Sequence, residues 1–282
     1  MRLRRSVVAG PGISRLRRGK GFAYRGPDGL PVADQAVLQR INDLVIPPAW
    51  KKVWICQYAN GHIQAVGTDV AGRRQYLYHQ QWQDERAEEK FDRVLEMSKK
   101  LPEWRGRIAE DLKATGLKRD RVLGLALHLL DRGYFRAGGE QYAEDNDSYG
   151  IATLLCEHVT LRADAVAFDY PAKSGVRRTV DIEDPEVVRT VRSLLRRRHR
   201  TTRFLVYRSG SGWSAIHADD LNVRFKELIG DEYSVKDLRT WHGTVLAAAA
   251  FADADPPVSQ KVIKRCRKRE LAPCRIEWNG EI

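Results

Sequence analysis

Three cationic side chains stand apart by their settings: Arg136, just after an apolar helical stretch; Lys173, in the turn Pro171-Ala172-Lys173-Ser174-Gly175; and Arg239, in the helix-forming run Asp237-Leu238-Arg239-Thr240-Trp241-His242-Gly243. The planar fork of an arginine matches the non-bridging oxygens of a phosphodiester, and a lysine beside a scissile bond can protonate the leaving oxygen. Two arginines and a lysine are thus a toolkit for phosphoryl transfer in which side chains, rather than a metal ion, meet the charge of the transition state. Each residue alone also has an ordinary reading. An arginine beside a core helix is commonly a surface or capping group, and a hairpin-tip lysine is common turn chemistry.

Composition narrows the partner. The 282 residues carry 49 Lys and Arg against 37 Asp and Glu, a net charge of +12. Residues 1–20 supply +7 of this and residues 261–282 supply +4, which leaves +1 for the rest. Within the body, Arg189 to Arg208 holds eight arginines and no carboxylate, a pattern that suits either a phosphate backbone or a solvated helix face. Cys56, Cys156, Cys266 and Cys274 form no Cys-x-x-Cys pair, which argues against a disulfide framework and a zinc site. No metal, cofactor or membrane span is expected, and the setting predicted is a reducing cytoplasm.

The elements that must position the three cations follow from periodicity. The first eighty or so residues are strand-rich, with one helix carrying Val37, Ile41, Leu44 and Val45 on its apolar face and ending at Pro47-Pro48. Val53–Tyr58 and His62–Val66 flank Asn60-Gly61, a hairpin signal because both residues tolerate positive φ, and a further turn at Asp69–Gly72 leads to Arg73–Tyr78. Helical period follows over Arg86–Lys100, Trp104–Lys113 and Arg121–Leu130, the last facing inward through Leu123, Leu127 and Leu130 and closed by Gly133. Ser148 is placed to cap a short helix. Two strands, His158–Tyr170 and Val176–Ile182, bracket the Lys173 turn, and helices follow over Pro185–Arg197, Ala218–Ile229 and after Ser234, whose spacing to Asp237 is that of a loose capping box. The fold class is therefore α+β. A small β-rich domain over 1–82 precedes a larger, mainly helical domain with a β-hairpin over 83–264, and residues 265–282 form an atypical tail.

The segments Gly19–Tyr24, Ile46–Trp50, Thr68–His79, Phe135-Arg136-Ala137-Gly138 and Leu238–Thr244 together resemble the type IB DNA topoisomerases, specifically the bacterial and poxvirus-like branch. The resemblance runs from about Gly10 to about Lys264 and implies a tyrosine-recombinase/topoisomerase IB-like catalytic domain. In that family a tyrosine attacks duplex DNA, forms a 3′-phosphotyrosyl link, lets the cut strand rotate and reseals it, without ATP or metal. The resemblance makes Arg136 and Arg239 the phosphate-holding arginines and Lys173 the general acid toward the 5′ oxygen, although the family often has glycine where this chain has Ala172. It also implies DNA contacts at Gln75, Tyr76 and Tyr78 of the small domain and at Tyr142 of the large one. Burial in a core is the competing reading for each tyrosine. The partner implied is double-stranded DNA, bound by a monomer in the cytoplasm at the nucleoid.

The sequence departs from the family near its end. The family's Gly-(His or Asn)-Thr-Pro element and its nucleophilic tyrosine belong downstream of Pro256–Lys264, and neither is present; the last tyrosine is Tyr233, upstream of Arg239. A frameshift or truncated gene is the expectation, with impaired or absent relaxation by the chain as written. Two alternatives remain at this stage. A tyrosine recombinase uses the same chemistry but places a histidine three residues before its second arginine, where this chain has Lys236; His242 lies three residues after it instead. A basic duplex-DNA-binding protein without catalysis is the other.

Overall fold

Alternation of polar and apolar residues in the first eighty positions folds into a five-stranded antiparallel sheet. Its strands are β1 (Ile13–Arg18), β2 (Gly21–Arg25), β3 (Lys51–Ile55), β4 (Ile63–Thr68) and β5 (Arg74–Tyr78), in the order β2-β1-β3-β4-β5. The computed structural model describes residues 2–197, 201–210 and 212–252, except the side chain of Tyr142, so the tail over 265–282 lies outside the described residues. The chain divides into one unit ending at Asp92 and a second beginning at Arg93.

In the first unit, one sheet face buries Ile13, Val53, Ile55 and Ala65 against Ile41 of helix α1 (Gln35–Asp43). Asp34 caps α1 by accepting from the amides of Ala36 and Val37. The helix stops sooner than its apolar spacing predicts: Val45 lies beyond it at φ 46 and is 80% exposed. The β3–β4 connection is also not the tight turn that Asn60-Gly61 predicts. It is a loop over 56–62 against which the N-terminal segment docks, with the Arg4 amide donating to Asn60 O and the His62 amide to Arg4 O. Gly61 is needed there for space rather than for positive φ, because a Cβ would sit 2.5 Å from Cys56 Sγ and 2.7 Å from Ser6 Oγ.

Helix α2 (Gln80–Lys113) carries the chain from the first unit into the second as one helix, not the two predicted, and continues through Pro102. Proline removes a single N–H, and the burial of Leu101, Trp104, Ile108 and Leu112 along one face holds the helix together across it. Helix α3 (Arg119–Arg132) is the centre of the second unit. Val122 to Leu130 are buried nearly all round except at His128, so the inward face is broader than Leu123, Leu127 and Leu130 alone. The α5 (Pro185–Leu195) and α6 (Ala218–Ile229) helices and strand β9 (Val206–Ser209) pack on it, and the unit also holds α4 (Glu140–Asn146), α7 (Val235–Ala252) and β10 (Gly212–Ala215), which pairs with β9. The expected strand His158–Tyr170 is two strands, β6 (Val159–Leu161) and β7 (Val166–Pro171), which join β8 (Arg177–Ile182) in a three-stranded sheet. Ser148 caps no helix; a short 3-10 turn, Ile151–Thr153, starts after Gly150 instead.

The arginine run is not a uniform outward face. Arg189 pairs with Glu186, Arg197 donates to the carbonyls of Leu194 and Arg203, and Arg203 donates to Glu140 and to Ala152 O. Arg198 and Arg200 lie outside the described residues.

Candidate active site

Arg136 is set by how α3 ends. The Gly133 amide donates to Leu129 O at 2.9 Å, and Tyr134 then takes φ 52, a left-handed conformation that costs a non-glycine residue on the order of 1 kcal/mol. This reversal sends Phe135 into the core, where its ring meets Phe168 at 5.0 Å and stacks on Tyr170 at 5.7 Å. The next residue, Arg136, is left half-buried. The amides of Ile151 and Ala152 donate to the carbonyls of Arg136 and Ala137 at 2.8 Å each. Gly138, at φ 85, crosses Gly150 so closely that a Cβ on Gly150 would lie 2.5 Å from Gly138 Cα. The Phe135-Arg136-Ala137-Gly138 motif is therefore a backbone crossing that fixes the arginine.

Lys173 is solvent-exposed in the turn between β7 and β8, as its sequence setting predicts. Ala172 donates to Val176 O at 2.8 Å to close the turn, and Ser174 and Gly175 take φ 66 and 71. The register of the hairpin places Tyr170 opposite Arg178. Arg178 donates to Tyr134 O at 2.9 Å and to Gly133 O, and lies 5.5 Å from the Phe135 ring centroid. It thereby ties the lysine-bearing hairpin to the loop that carries Arg136.

Arg239 lies half-buried on α7. The start of that helix is fixed by Asp237, which accepts from the Ser234 amide and hydroxyl and pairs with Arg93 at 2.7 Å. One turn past Arg239, His242 is buried, with Nε2 2.9 Å from Asp131 Oδ1 and its ring 4.7 Å from that of Tyr134. Arg105 binds the same carboxylate through Nε and Nη2. Burial would raise the Asp131 carboxyl, but the hydrogen bonds from His242 and Arg105 outweigh it and hold the group at about 2.

Tyr170 is buried on β7. Burial pushes its phenol up to about 12, opposed by the positive charges of Arg178, Arg239 and Arg136. Lys173 is three residues further along the same hairpin. Sequence reasoning missed Arg178, Tyr134, Tyr170 and Asp131. Only the hairpin register could have pointed to Arg178; the others carry no local signal.

In the first unit, Tyr76 and Tyr78 are each 39% exposed and stack at 6.0 Å on the sheet face opposite the α1 core, with Arg74 5.5 Å from the Tyr76 ring. Neither is a core tyrosine. Gln75 alternates to the other face and donates to Asp69 Oδ2 at 2.9 Å. Tyr142 lies on α4, and its side chain is outside the described residues. Among the described residues no helix is long and apolar enough to cross a membrane.

Comparison with known proteins identifies the family. The model of the eukaryotic DNA topoisomerase I catalytic core matches residues 79–271, more than half of the chain and beyond Lys264, and that of the bacterial DNA topoisomerase IB N-terminal domain matches residues 21–69. DNA topoisomerase 1B of Acanthamoeba polyphaga mimivirus is 29% identical over 260 residues, 90% of this chain and 77% of that protein. DNA topoisomerase 1 of Schizosaccharomyces pombe is 27% identical over 56% of this chain and only 19% of its own length; the vaccinia virus DNA topoisomerase 1B is 25% identical over 39% and 35%. A solved XerH site-specific recombinase bound to its difH substrate overlaps 60% of this chain and 51% of its own at 13% identity and a TM-score of 0.35, a likeness from which nothing follows. With the catalytic-core match covering the arginine loop, the lysine hairpin and α7 together, the chain belongs to the type IB DNA topoisomerase family.

Proposed function

We propose that this chain binds duplex DNA as a monomer and grips one phosphodiester through Arg136 and Arg239, with Lys173 placed to protonate the 5′ oxygen. The observation that carries this reading is that Arg178 ties the Lys173 hairpin, and the His242–Asp131 contact ties the Arg239 helix, to the end of α3 and the loop that carries Arg136. Guanidiniums from α7 and from the loop after α3 suit the non-bridging oxygens of a phosphodiester, which accept charge-assisted hydrogen bonds. Gln75, Tyr76, Tyr78 and Tyr142 are the proposed additional DNA contacts.

The covalent step needs a nucleophile. No tyrosine follows Tyr233 within these 282 residues, and the proposal for this stretch of chain is that it holds and polarises the phosphate with impaired or absent formation of a 3′-phosphotyrosyl link. The experiment pairs fluorescence anisotropy on a duplex oligonucleotide with a relaxation assay free of ATP and Mg²⁺ and a covalent-trapping gel on nicked DNA. Salt-sensitive duplex binding with neither relaxation nor adduct is expected. Absence of duplex binding overturns the first part of the proposal, and a covalent adduct overturns the second. Translating the coding DNA beyond Lys264 in the other two frames tests the frameshift: a Gly-(His or Asn)-Thr-Pro followed by a tyrosine is the result that supports it.

A further inference from the structure

Strand β3 carries one residue more than its partner allows. Lys51 pairs with Thr68 and Trp54 with Val66, so three steps on β3 face two on β4, and the extra residue makes a bulge. Lys52 sits in it at φ 50. Left-handed backbone at a bulge is a position that glycine takes without strain, whereas a lysine there costs on the order of 1 kcal/mol. Nothing in the packing asks for the side chain, because Lys52 is exposed.

The charge of Lys52 does have a destination. Lys52 lines a cleft of about 270 Å³ with Arg74, Trp54, Thr68 and Val8 of the docked N-terminal segment. No residue lining it is acidic. The space is below the roughly 300–1,000 Å³ of small-molecule sites, yet two cations and a hydroxyl suit a single tetrahedral anion. Arg74 joins this cleft to the exposed face of Tyr76 and Tyr78.

We infer that Lys52 holds a backbone phosphate of the duplex in this cleft, and that its strained conformation is kept because it brings the ammonium there. The inference rests on the duplex-binding reading above and adds to it a contact outside the arginine–lysine site. Lys52→Gly is the informative variant, since it keeps the backbone and deletes the charge. It should melt no lower than the wild type, while its duplex affinity, measured by anisotropy between 50 and 200 mM salt, should lose about 0.9 from the slope of log K against log salt. At 0.1 M that slope change corresponds to binding weaker by about eightfold, converging toward 1 M. Lys52→Arg should retain the wild-type slope.

An unchanged slope and affinity in Lys52→Gly, with wild-type duplex binding intact, overturns this inference alone; failure of the wild type to bind duplex overturns the parent reading. A lower melting temperature in Lys52→Gly also overturns it, because the lysine would then be holding the bulge. Binding of inorganic phosphate to the wild type and not to Lys52→Gly, with duplex affinity the same in both, would make the cleft a free-phosphate site and overturn the assignment to DNA.

Discussion

Nε2 of His242 on α7 lies 2.9 Å from Oδ1 of Asp131, the penultimate residue of α3. The contact locks the helix that carries Arg239 to the helix whose end launches Arg136, so the spacing of the two arginines depends on a carboxylate that belongs to neither motif. Because the Asp131 carboxyl is held at about 2 against an ordinary 3.8, its contribution to stability is complete above about pH 4 and is lost as pH falls toward 2. The contribution is about 2 kcal/mol. Chemical denaturation from pH 5 to pH 2 should show the wild type losing that much more than Asp131→Asn; equal acid sensitivity would show that the cluster does not hold the helices.

The alkaline limit has the opposite sign. Tyr170 has its phenol pushed up to about 12 from 10.0, mainly by burial, so the folded state retains a proton that the unfolded chain gives up. Stability is unaffected below about pH 10 and falls by about 2–3 kcal/mol between pH 10 and 12. Tyr170→Phe should flatten that fall and leave duplex binding at pH 7 unchanged. A variant as alkali-sensitive as the wild type would place the ionising group elsewhere.

Arg178 is the link between hairpin and loop. Its replacement by Met strands the carbonyls of Gly133 and Tyr134 at the point where Tyr134 is strained, and a loss of about 1–3 kcal/mol is expected. Duplex affinity should fall as well, since Arg136 follows two residues later and loses its fixed position. Arg178→Lys, which can reach one carbonyl but not fork across two, should recover part of the stability. Full stability and affinity in Arg178→Met would show that the Gly138–Gly150 crossing fixes Arg136 unaided.

How far the sequence discloses this arrangement depends on the range of the forces involved. Helix α6 has the bounds its periodicity predicts, α7 begins after Ser234 as the Asp237 spacing implies, and Lys173 occupies a turn whose Pro, Ser and Gly announce it. These are local effects. Asn60-Gly61 misleads because a distant segment, residues 4–6, docks on it and makes close approach matter more than turn type. The break expected between Lys100 and Trp104 is absent because tertiary burial on both sides of Pro102 exceeds the loss of one N–H. Arg136, Lys173 and Arg239 stand out in the sequence as residues, but the ties between the elements that carry them do not: these are the Tyr170–Arg178 register and the Asp131–His242 contact, which join positions 8 and 111 residues apart.

The same distinction separates the three residues of β5. Gln75, Tyr76 and Tyr78 form one cluster in sequence, yet the pleat divides them: Tyr76 and Tyr78 stack on the exposed face, while Gln75 is turned away and bonded to Asp69. An exposed aromatic pair gains by covering apolar area against a partner, so Tyr76→Ala and Tyr78→Ala should each weaken duplex binding by about 1–2 kcal/mol. Neither removes a phosphate-neutralising charge, so the slope of log K against log salt should stay at the wild-type value, in contrast to Lys52→Gly. Gln75→Ala should leave the affinity within about twofold and instead loosen the Asp69–Gly72 turn by about 0.5–1.5 kcal/mol, the worth of one hydrogen bond. Anisotropy titrations across a salt series, with denaturant curves for the same three variants, separate these outcomes. If Gln75→Ala weakens binding as much as the tyrosine variants while its stability is unchanged, the duplex meets the strand from the Gln75 face, and the exposed Tyr76–Tyr78 pair is not the contact.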